Sequence, residues 1–328
     1  MPALVGGFGN ESLNKPLKLK NNCNKKITKV VSSNINPNPY LGSYLAGLIE
    51  GDGTFAIHDK NSISNKYRPM IIIVFKQADL PLAEYLYKLT NCGSIYIKPN
   101  RGYILWQIHD IFGVFTIVKL INGYMRSPKV EALNRTINWL NEYIDKNQNT
   151  NNYIIKDILS KINKLEIKNI DNSPIESNPW LAGFSDADSN FSINIHKRSN
   201  KNLIRVQLYY RIEIRQTYNR FNSNGDKVSF FPIMSKVSKF LGTNLLSRTR
   251  IKNDKEFYSF IVTAHNKTSL NLIIEYFNKF PLLSSKYLDF VSFTYIFNLQ
   301  KTNSLTTSYL DKAILIKKDF NKTRTTYN

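Results

Sequence analysis

The chain of 328 residues is poor in cysteine: it has only Cys23 and Cys92. Neither has a CxxC neighbour and Cys23 falls in a polar stretch. That excludes a disulfide framework and a cysteine zinc site, and makes a reducing compartment the default. Histidine is also sparse. His58, His109, His196 and His265 share no metal-ligand spacing and read as strand residues. No stretch approaches the ~18 consecutive apolar residues of a membrane span, and no basic amphipathic helix points to a bilayer surface, so no membrane is expected as a partner. No transit segment is recognisable. Acidic residues are few: Asp and Glu number 24 against 45 Lys and Arg, a formal charge of +21. In a chain that is 42% hydrophobic and 12% aromatic, that surplus fits a folded protein binding a polyanion. Part of it reflects an abundance of Lys, Asn, Ile, Tyr and Phe, the residues of A/T-rich codons.

The chain does contain a repeat. Residues 44–55 read YLAGLIEGDGTF and residues 180–191 read WLAGFSDADSNF. Aligned without gaps, they place Asp52 opposite Asp188. Each segment starts as a small-residue helix (Leu45-Ala46-Gly47, Leu181-Ala182-Gly183) and ends in acids before an alternating stretch. A repeat fixes architecture before any local reading does. Here it supplies one carboxylate from each half at equivalent positions, as a pseudo-two-fold site requires.

The segments around each copy follow one pattern. The first half opens at Asn36-Pro37-Asn38-Pro39 and the second at Asn178-Pro179, where Asn caps a helix and Pro fills its first turn. In the first half, strands are expected at 54–60 and 68–77, a helix at 79–91, a hairpin over 93–98 and 102–109 about Pro99-Asn100-Arg101, and helices at 111–122 and 128–146. In the second, strands are expected at 191–198 and 202–216, a helix at 230–242, a hairpin over 245–264 turning near Asn253-Asp254, and helices at 267–279 and 284–298. The expected class is α+β, with two pseudo-symmetric αββαββαα halves. The expected divisions are a basic arm over 1–36, a first domain over 37–148, a linker over 149–177, a second domain over 178–300 and a tail over 301–328. A connecting helix is expected over 151–165 and a short one near 308–317.

The strand at 203–216 alternates most cleanly. Ile204, Val206, Leu208, Tyr210, Ile212 and Ile214 occupy one parity, and Arg205, Gln207, Tyr209, Arg211, Glu213 and Arg215 the other. A sheet with one buried and one wet face gives this pattern. Arginine, glutamine and tyrosine are side chains that read base edges and phosphates. The preceding strand turns Ser192, Asn194, His196 and Arg198 the same way. The wet face of the first half is less polar, with Arg68, Met70, Ile72, Val74 and Lys76. His58, Lys60, Lys98 and Arg101 complete the candidate nucleic-acid contacts.

These residues resemble the LAGLIDADG homing endonucleases in their single-chain, two-motif form, over about 37–300. The resemblance implies a monomer whose motif helices form the interface and whose two curved antiparallel sheets lie in the major groove of double-stranded DNA. A ten-residue strand spans about 33 Å, roughly one turn of duplex, so two sheets suggest a site of about 20 bp. Small residues let the helices pack closely and bring Asp52 and Asp188 together as catalytic acids. Two carboxylates facing a phosphate backbone imply divalent cations. Oxygen ligands from Asp52, Asp188, Gly51 and Ala187 suit Mg²⁺, which activates water and stabilises the leaving oxygen. Gln77 and Gln216, both of inward parity, match the family's polar residue at the end of the second strand. Lys129 and Lys286 match its basic residue near the scissile phosphates. Glu50 and Asp186 are read as structural. Ser189 stands where the family has glycine after the acid, a position at which an unusual backbone conformation would matter.

The opening MPALVGGFGN resembles a segment of cytochrome c oxidase subunit 1. That implies a gene inside an intron of that mitochondrial gene, a mitochondrial location, and the intronless allele as target. A different class of function, an RNA maturase acting on its own intron RNA, fits the basic tails as well. Retained Asp52 and Asp188 favour the nuclease. A non-catalytic DNA-binding module is disfavoured, because carboxylates near phosphate weaken binding.

Overall fold

The computed structural model describes residues 40–57, 68–98, 100–197, 204–221, 225–303 and 307–324. The amino-terminal arm with its exon-like segment, the capping run at 36–39, and the candidates His58, Lys60 and Arg198 lie outside them.

The first half runs α1 (Leu41–Asp52), β1 (Gly53–Ala56), β2 (Met70–Lys76), a 3-10 turn (Gln77–Asp79), α2 (Leu80–Thr90), β3 (Ser94–Lys98), β4 (Tyr103–Ile108), α3 (Ile111–Ile121) and α4 (Val130–Asn147). Helix α5 (Tyr153–Leu159) leads to the second half: α6 (Trp180–Asp188), β5 (Ser189–Lys197), β6 (Ile204–Arg215), β7 (Thr217–Phe221), β8 (Lys227–Ser229), α7 (Phe231–Phe240), β9 (Leu245–Lys252), β10 (Lys255–Ala264), α8 (Lys267–Lys279) and α9 (Lys286–Asn303). Helix α10 (Thr307–Lys318) follows. The expected α+β order therefore appears twice.

The two four-stranded sheets are fully antiparallel and equivalent in order, β1-β2-β4-β3 and β5-β6-β10-β9. Alternation sets their faces. In β6, Val206, Leu208, Tyr210 and Ile212 are buried, while Arg205 and Arg215 are exposed and Gln207, Tyr209 and Arg211 half-buried. In β2, Ile71, Ile73 and Phe75 go inward. Helices α1, α2 and α4 back the first sheet, and α6 to α10 back the second. The hairpin turn at Asn253-Asp254 has positive φ at both residues, 50° and 58°. That conformation matches the right-handed twist of the flanking strands, and Asn and Asp tolerate it.

Three regions differ from the sequence reading. First, the second half carries an inserted hairpin, β7–β8, between β6 and α7. Asn224-Gly225 between the strand-like runs was its signal. Second, the connecting helix is short. Asn152 caps it by accepting the Ile154 N–H at 3.0 Å. Beyond Ser160 the chain runs without regular secondary structure along the first half. There the Leu165 N–H and C=O bond the Asn141 side chain, each at 2.9 Å, and the Asp171 N–H donates to the Met125 carbonyl at 2.8 Å. The segment is strapped down because its backbone groups find partners on α4 and in the α3–α4 connection. Third, the helix expected near 308–317 is α10, but the residues around it pack on the second half. Tyr309, Ala313 and Phe320 are buried, and Arg324 pairs with Asp289 at 2.8 Å with both side chains under 10% exposed.

Candidate active site

Helices α1 and α6 meet backbone to backbone. A Cβ added at Gly47 would lie 2.0 Å from the Trp180 carbonyl oxygen, and one at Gly183 would lie 1.9 Å from that of Tyr44. Only glycine fits either gap, so this pair sets the helix separation. At the carboxyl ends, a Cβ at Gly51 would fall 2.2 Å from that of Ala187 and 3.3 Å from Asp188 Oδ2. The motif ends therefore touch, and Asp52 and Asp188 are neighbours. Asp52 opens to solvent, yet the flanking helix ends displace much of the water around its carboxyl. That desolvation, and then the charge of Asp188, push its pKa up to about 6. Asp188 is also raised, by burial, against the pull of Lys286, Lys129 and Arg215.

The acids two residues earlier turn into the interface. Glu50 accepts the Arg126 N–H at 3.0 Å, the Ser127 N–H at 2.5 Å and Trp180 Nε1–H at 2.5 Å. Asp186 accepts the Leu283 N–H at 2.8 Å, the Ser284 hydroxyl at 2.5 Å and the Tyr44 hydroxyl at 2.6 Å. Tyr44 and Trp180 are equivalent in the repeat. Each motif helix thus presents an aromatic donor to the other's buried acid, and each acid holds the chain leading into its own half's late helix. This is a structural role, as read from the sequence.

Lys129 and Lys286 are not solvated. Lys129 Nζ donates to the carbonyls of Ile49 at 2.9 Å, Gly53 at 2.9 Å and Gly51 at 3.4 Å. Lys286 Nζ donates to those of Ser185 at 2.9 Å and Ala187 at 2.8 Å. Each ammonium caps the carboxyl end of its own half's motif helix, where orphan carbonyls and the helix dipole favour a cation. Burial lowers both pKa values, with the neighbouring acids opposing. Lys76 and Arg215 end β2 and β6. The Lys76 charge acts on Asp52 and on Lys286, and that of Arg215 on Asp188 and on Lys129. Sequence reasoning made these two residues nucleic-acid contacts; the structure also brings them beside the acids.

Of the two glutamines, Gln77 departs from its expected inward orientation. Strand β2 stops at Lys76, so inward parity does not carry to Gln77, which is exposed and donates its N–H to the Gly102 carbonyl at 3.1 Å. Gln216 follows β6, half-buried. Its N–H donates to the Tyr258 carbonyl at 3.0 Å and its side-chain Nε2 to that of Ser259 at 3.4 Å. Ser189 has φ −102° and ψ 167°, ordinary extended backbone, so no glycine is needed there. Its hydroxyl donates to the Ser185 carbonyl at 2.7 Å. Asp79, not singled out by sequence, crosses to the other half and accepts the Ser285 N–H at 2.7 Å. Its repeat counterpart, the residue before α7, is Phe230, so symmetry gave no hint of it.

The sequence profile of the LAGLIDADG endonuclease family matches residues 45–140 and 181–297. The chain belongs to that family. It is 42% identical to the intron-encoded DNA endonuclease aI3 of Saccharomyces cerevisiae over all of this chain and 80% of that one. It is 28% identical to the uncharacterized cox1 intron-2 37.2 kDa protein of Schizosaccharomyces pombe, over 88% of this chain and 76% of that one. Among solved structures, the I-SmaMI LAGLIDADG homing endonuclease bound to cleaved DNA shares the fold with a TM-score of 0.61 at 20% identity, covering 89% of this chain and 100% of that one. I-LtrWI bound to target DNA does so with 0.60 at 20%, covering 87% and 99%.

In this LAGLIDADG chain the strand register shows which candidates share a face. Cross-strand partners point to the same side. Ser192 pairs with Tyr209, Asn194 with Gln207 and His196 with Arg205, and Arg215 with Ser259 and through it Arg248. All lie on the wet face with Arg211. In the first sheet, Lys76 pairs with Tyr103 and through it Lys98. Arg68 precedes β2 and Arg101 lies in the β3–β4 turn, both exposed. Sequence reasoning missed Arg248, Arg250 and Lys252 on β9, although their period-two spacing was visible. It also left out Glu213, which bonds Arg211, Arg250 and the Ser259 hydroxyl. The oxygen donors at the motif ends are two carboxylates and the carbonyls of Gly51 and Ala187. Two crowded acids with raised pKa values beside oxygen-only donors fit a hard divalent cation. Each carbonyl already accepts from a lysine and keeps a second lone pair.

Proposed function

We propose that the protein is a homing endonuclease that breaks both strands of the intronless allele of its host gene, one motif acid serving each strand. The observation carrying this reading is the neighbouring pair Asp52 and Asp188 at the touching ends of α1 and α6, each flanked by a wet sheet face. Asp52 and Asp188, with the carbonyls of Gly51 and Ala187, would hold Mg²⁺, which when bound neutralises phosphate charge and acidifies water. Lys129 and Lys286 fix the carbonyl ends and so the direction of the acids. Lys76 and Arg215 place positive charge where phosphate oxygens would lie and favour the ionised acids. Gln77, exposed at the end of β2, is available to order solvent.

The names of the yeast relatives and the exon-like opening support a cytochrome c oxidase subunit 1 intron as the gene's home, and with it a mitochondrial location. The protein would act as a monomer on about 20 bp, since each sheet covers roughly one turn of duplex. The maturase reading has no need of paired acids held this close. The test incubates purified protein with a plasmid carrying the intronless gene across the GGFGN codons, in Mg²⁺, with Ca²⁺ and an intron-containing plasmid as controls. A single linear product only with Mg²⁺ and the intronless plasmid is expected. No cutting of either plasmid would overturn the nuclease reading and favour the maturase.

A further inference from the structure

The two wet faces differ at matched positions of the repeat. Lys76 corresponds to Arg215, Val74 to Glu213, and Ile72 to Arg211. On the first face, Val74 pairs with Leu105 and through it Tyr96, Ile72 lies between Thr54 and Gln107 with Ser94 beyond, and Met70 pairs with Ala56. These side chains are half-buried or exposed, with Val74 at 40% and Tyr96 at 41%. The face is continuous with the active site through Lys76. On the second face the matching rows carry Arg211 beside Thr263, and Glu213 beside Ile261 and Leu246; Arg248 lies in the next row with Ser259 and Arg215, and Glu213 binds the arginines around it.

An open apolar patch at Ile72, Val74, Leu105 and Tyr96 within the sheet face of a strongly basic protein calls for a partner that is anionic overall and locally apolar. In the major groove the thymine C5-methyl is the one apolar group on a base edge, whereas guanine offers O6 and N7 to arginine and cytosine offers N4–H to a carboxylate. We propose that the two halves read chemically different half-sites. The first takes an A·T-rich stretch through thymine methyls packed on Ile72, Val74 and Leu105. The second takes a G·C-containing stretch through Arg211, Glu213 and Arg248. This inference rests on the DNA-cutting reading and adds what each half of the target is made of. Lys76 and Lys98, paired through Tyr103 on the first face, supply phosphate contacts that hold the apolar rows against the groove.

The test selects bound duplexes from a fully randomised library, using the full-length protein without Mg²⁺, and then replaces thymine by deoxyuracil in one half-site at a time. The enriched duplexes should have one A·T-rich half and one half with G·C pairs. Removing methyls from the A·T half should weaken binding about fourfold per contacted thymine, the scale of one buried methyl-sized group. The same replacement in the other half should change nothing. Val74→Ser, an exposed substitution, should blunt the methyl dependence and leave the G·C preference intact. Enrichment with no methyl dependence in either half, or an equal dependence in both, would overturn this inference alone. No enrichment of any sequence would overturn it together with the proposed function.

Discussion

Glu50 and Asp52 stand two residues apart at one helix end and have opposite energetics. Glu50 is buried with donors on all sides. Glu50→Ala would strand the Arg126 and Ser127 N–H groups and Trp180 Nε1–H, and should cost about 3 kcal/mol or more in urea unfolding. Asp52 gains nothing from folding as an anion. Its folded pKa of about 6 lies above the ordinary 3.8, so folding favours its protonated form. The penalty is full above pH 6 and vanishes below about 4. Asp52→Asn should therefore raise the melting temperature at pH 8, with the gain shrinking to nothing as pH falls to 4. A lower melting temperature at pH 8 would contradict this account. Glu213 is a third case. Its carboxylate is held below the usual range by its hydrogen bonds and the adjacent arginines. Glu213→Gln frees those cations for phosphate. Binding to unrelated DNA should tighten several-fold, with a salt slope steeper by about one unit, while stability barely changes. An unchanged slope would mean the arginines were never restrained.

At the scale of elements, the helix interface should be the least forgiving part of the molecule. Gly47→Ala or Gly183→Ala drives a methyl into a facing carbonyl and forces α1 and α6 apart. Overpacking of this kind should cost about 3 kcal/mol, read from denaturant midpoints, and should lower cleavage further by separating the acids. Elements whose pattern comes from their own side chains were legible in sequence: the alternation of β6, the hairpin at Asn253-Asp254, and α8 at its expected bounds. The small residues of both motifs also told their packing correctly. What was not legible depends on partners distant in sequence. Lys129 matches the family's basic residue in sequence, but nothing near it in the chain shows that its ammonium sits among the carbonyls of Ile49 and Gly53. Asp79 reaches Ser285 across 206 residues. The strap after α5 has neither helical nor strand periodicity, because its hydrogen bonds go to Asn122, Asn141 and Met125 rather than to itself.

At the scale of the whole molecule, the repeat builds a symmetric centre and asymmetric flanks. Tyr44 and Trp180 exchange donors with Asp186 and Glu50, and Lys129 and Lys286 cap equivalent helix ends. Farther out, Val74 faces Glu213 in the alignment, the β7–β8 hairpin has no counterpart among the described residues of the first half, and α10 packs on β5, β6 and α9 of the second half. A pseudo-symmetric centre with unlike flanks suits a double-strand cut in a target that is not a palindrome. The most direct test is strand-resolved cleavage of the intronless duplex by Asp52→Asn and by Asp188→Asn. Each single variant should lose double-strand cutting by about 10²-fold or more, the scale of one essential group at a reacting centre. DNA binding should be kept or tightened, since a carboxylate facing phosphate is gone. If either variant still cuts both strands at the native rate, the assignment of one acid to each strand is wrong.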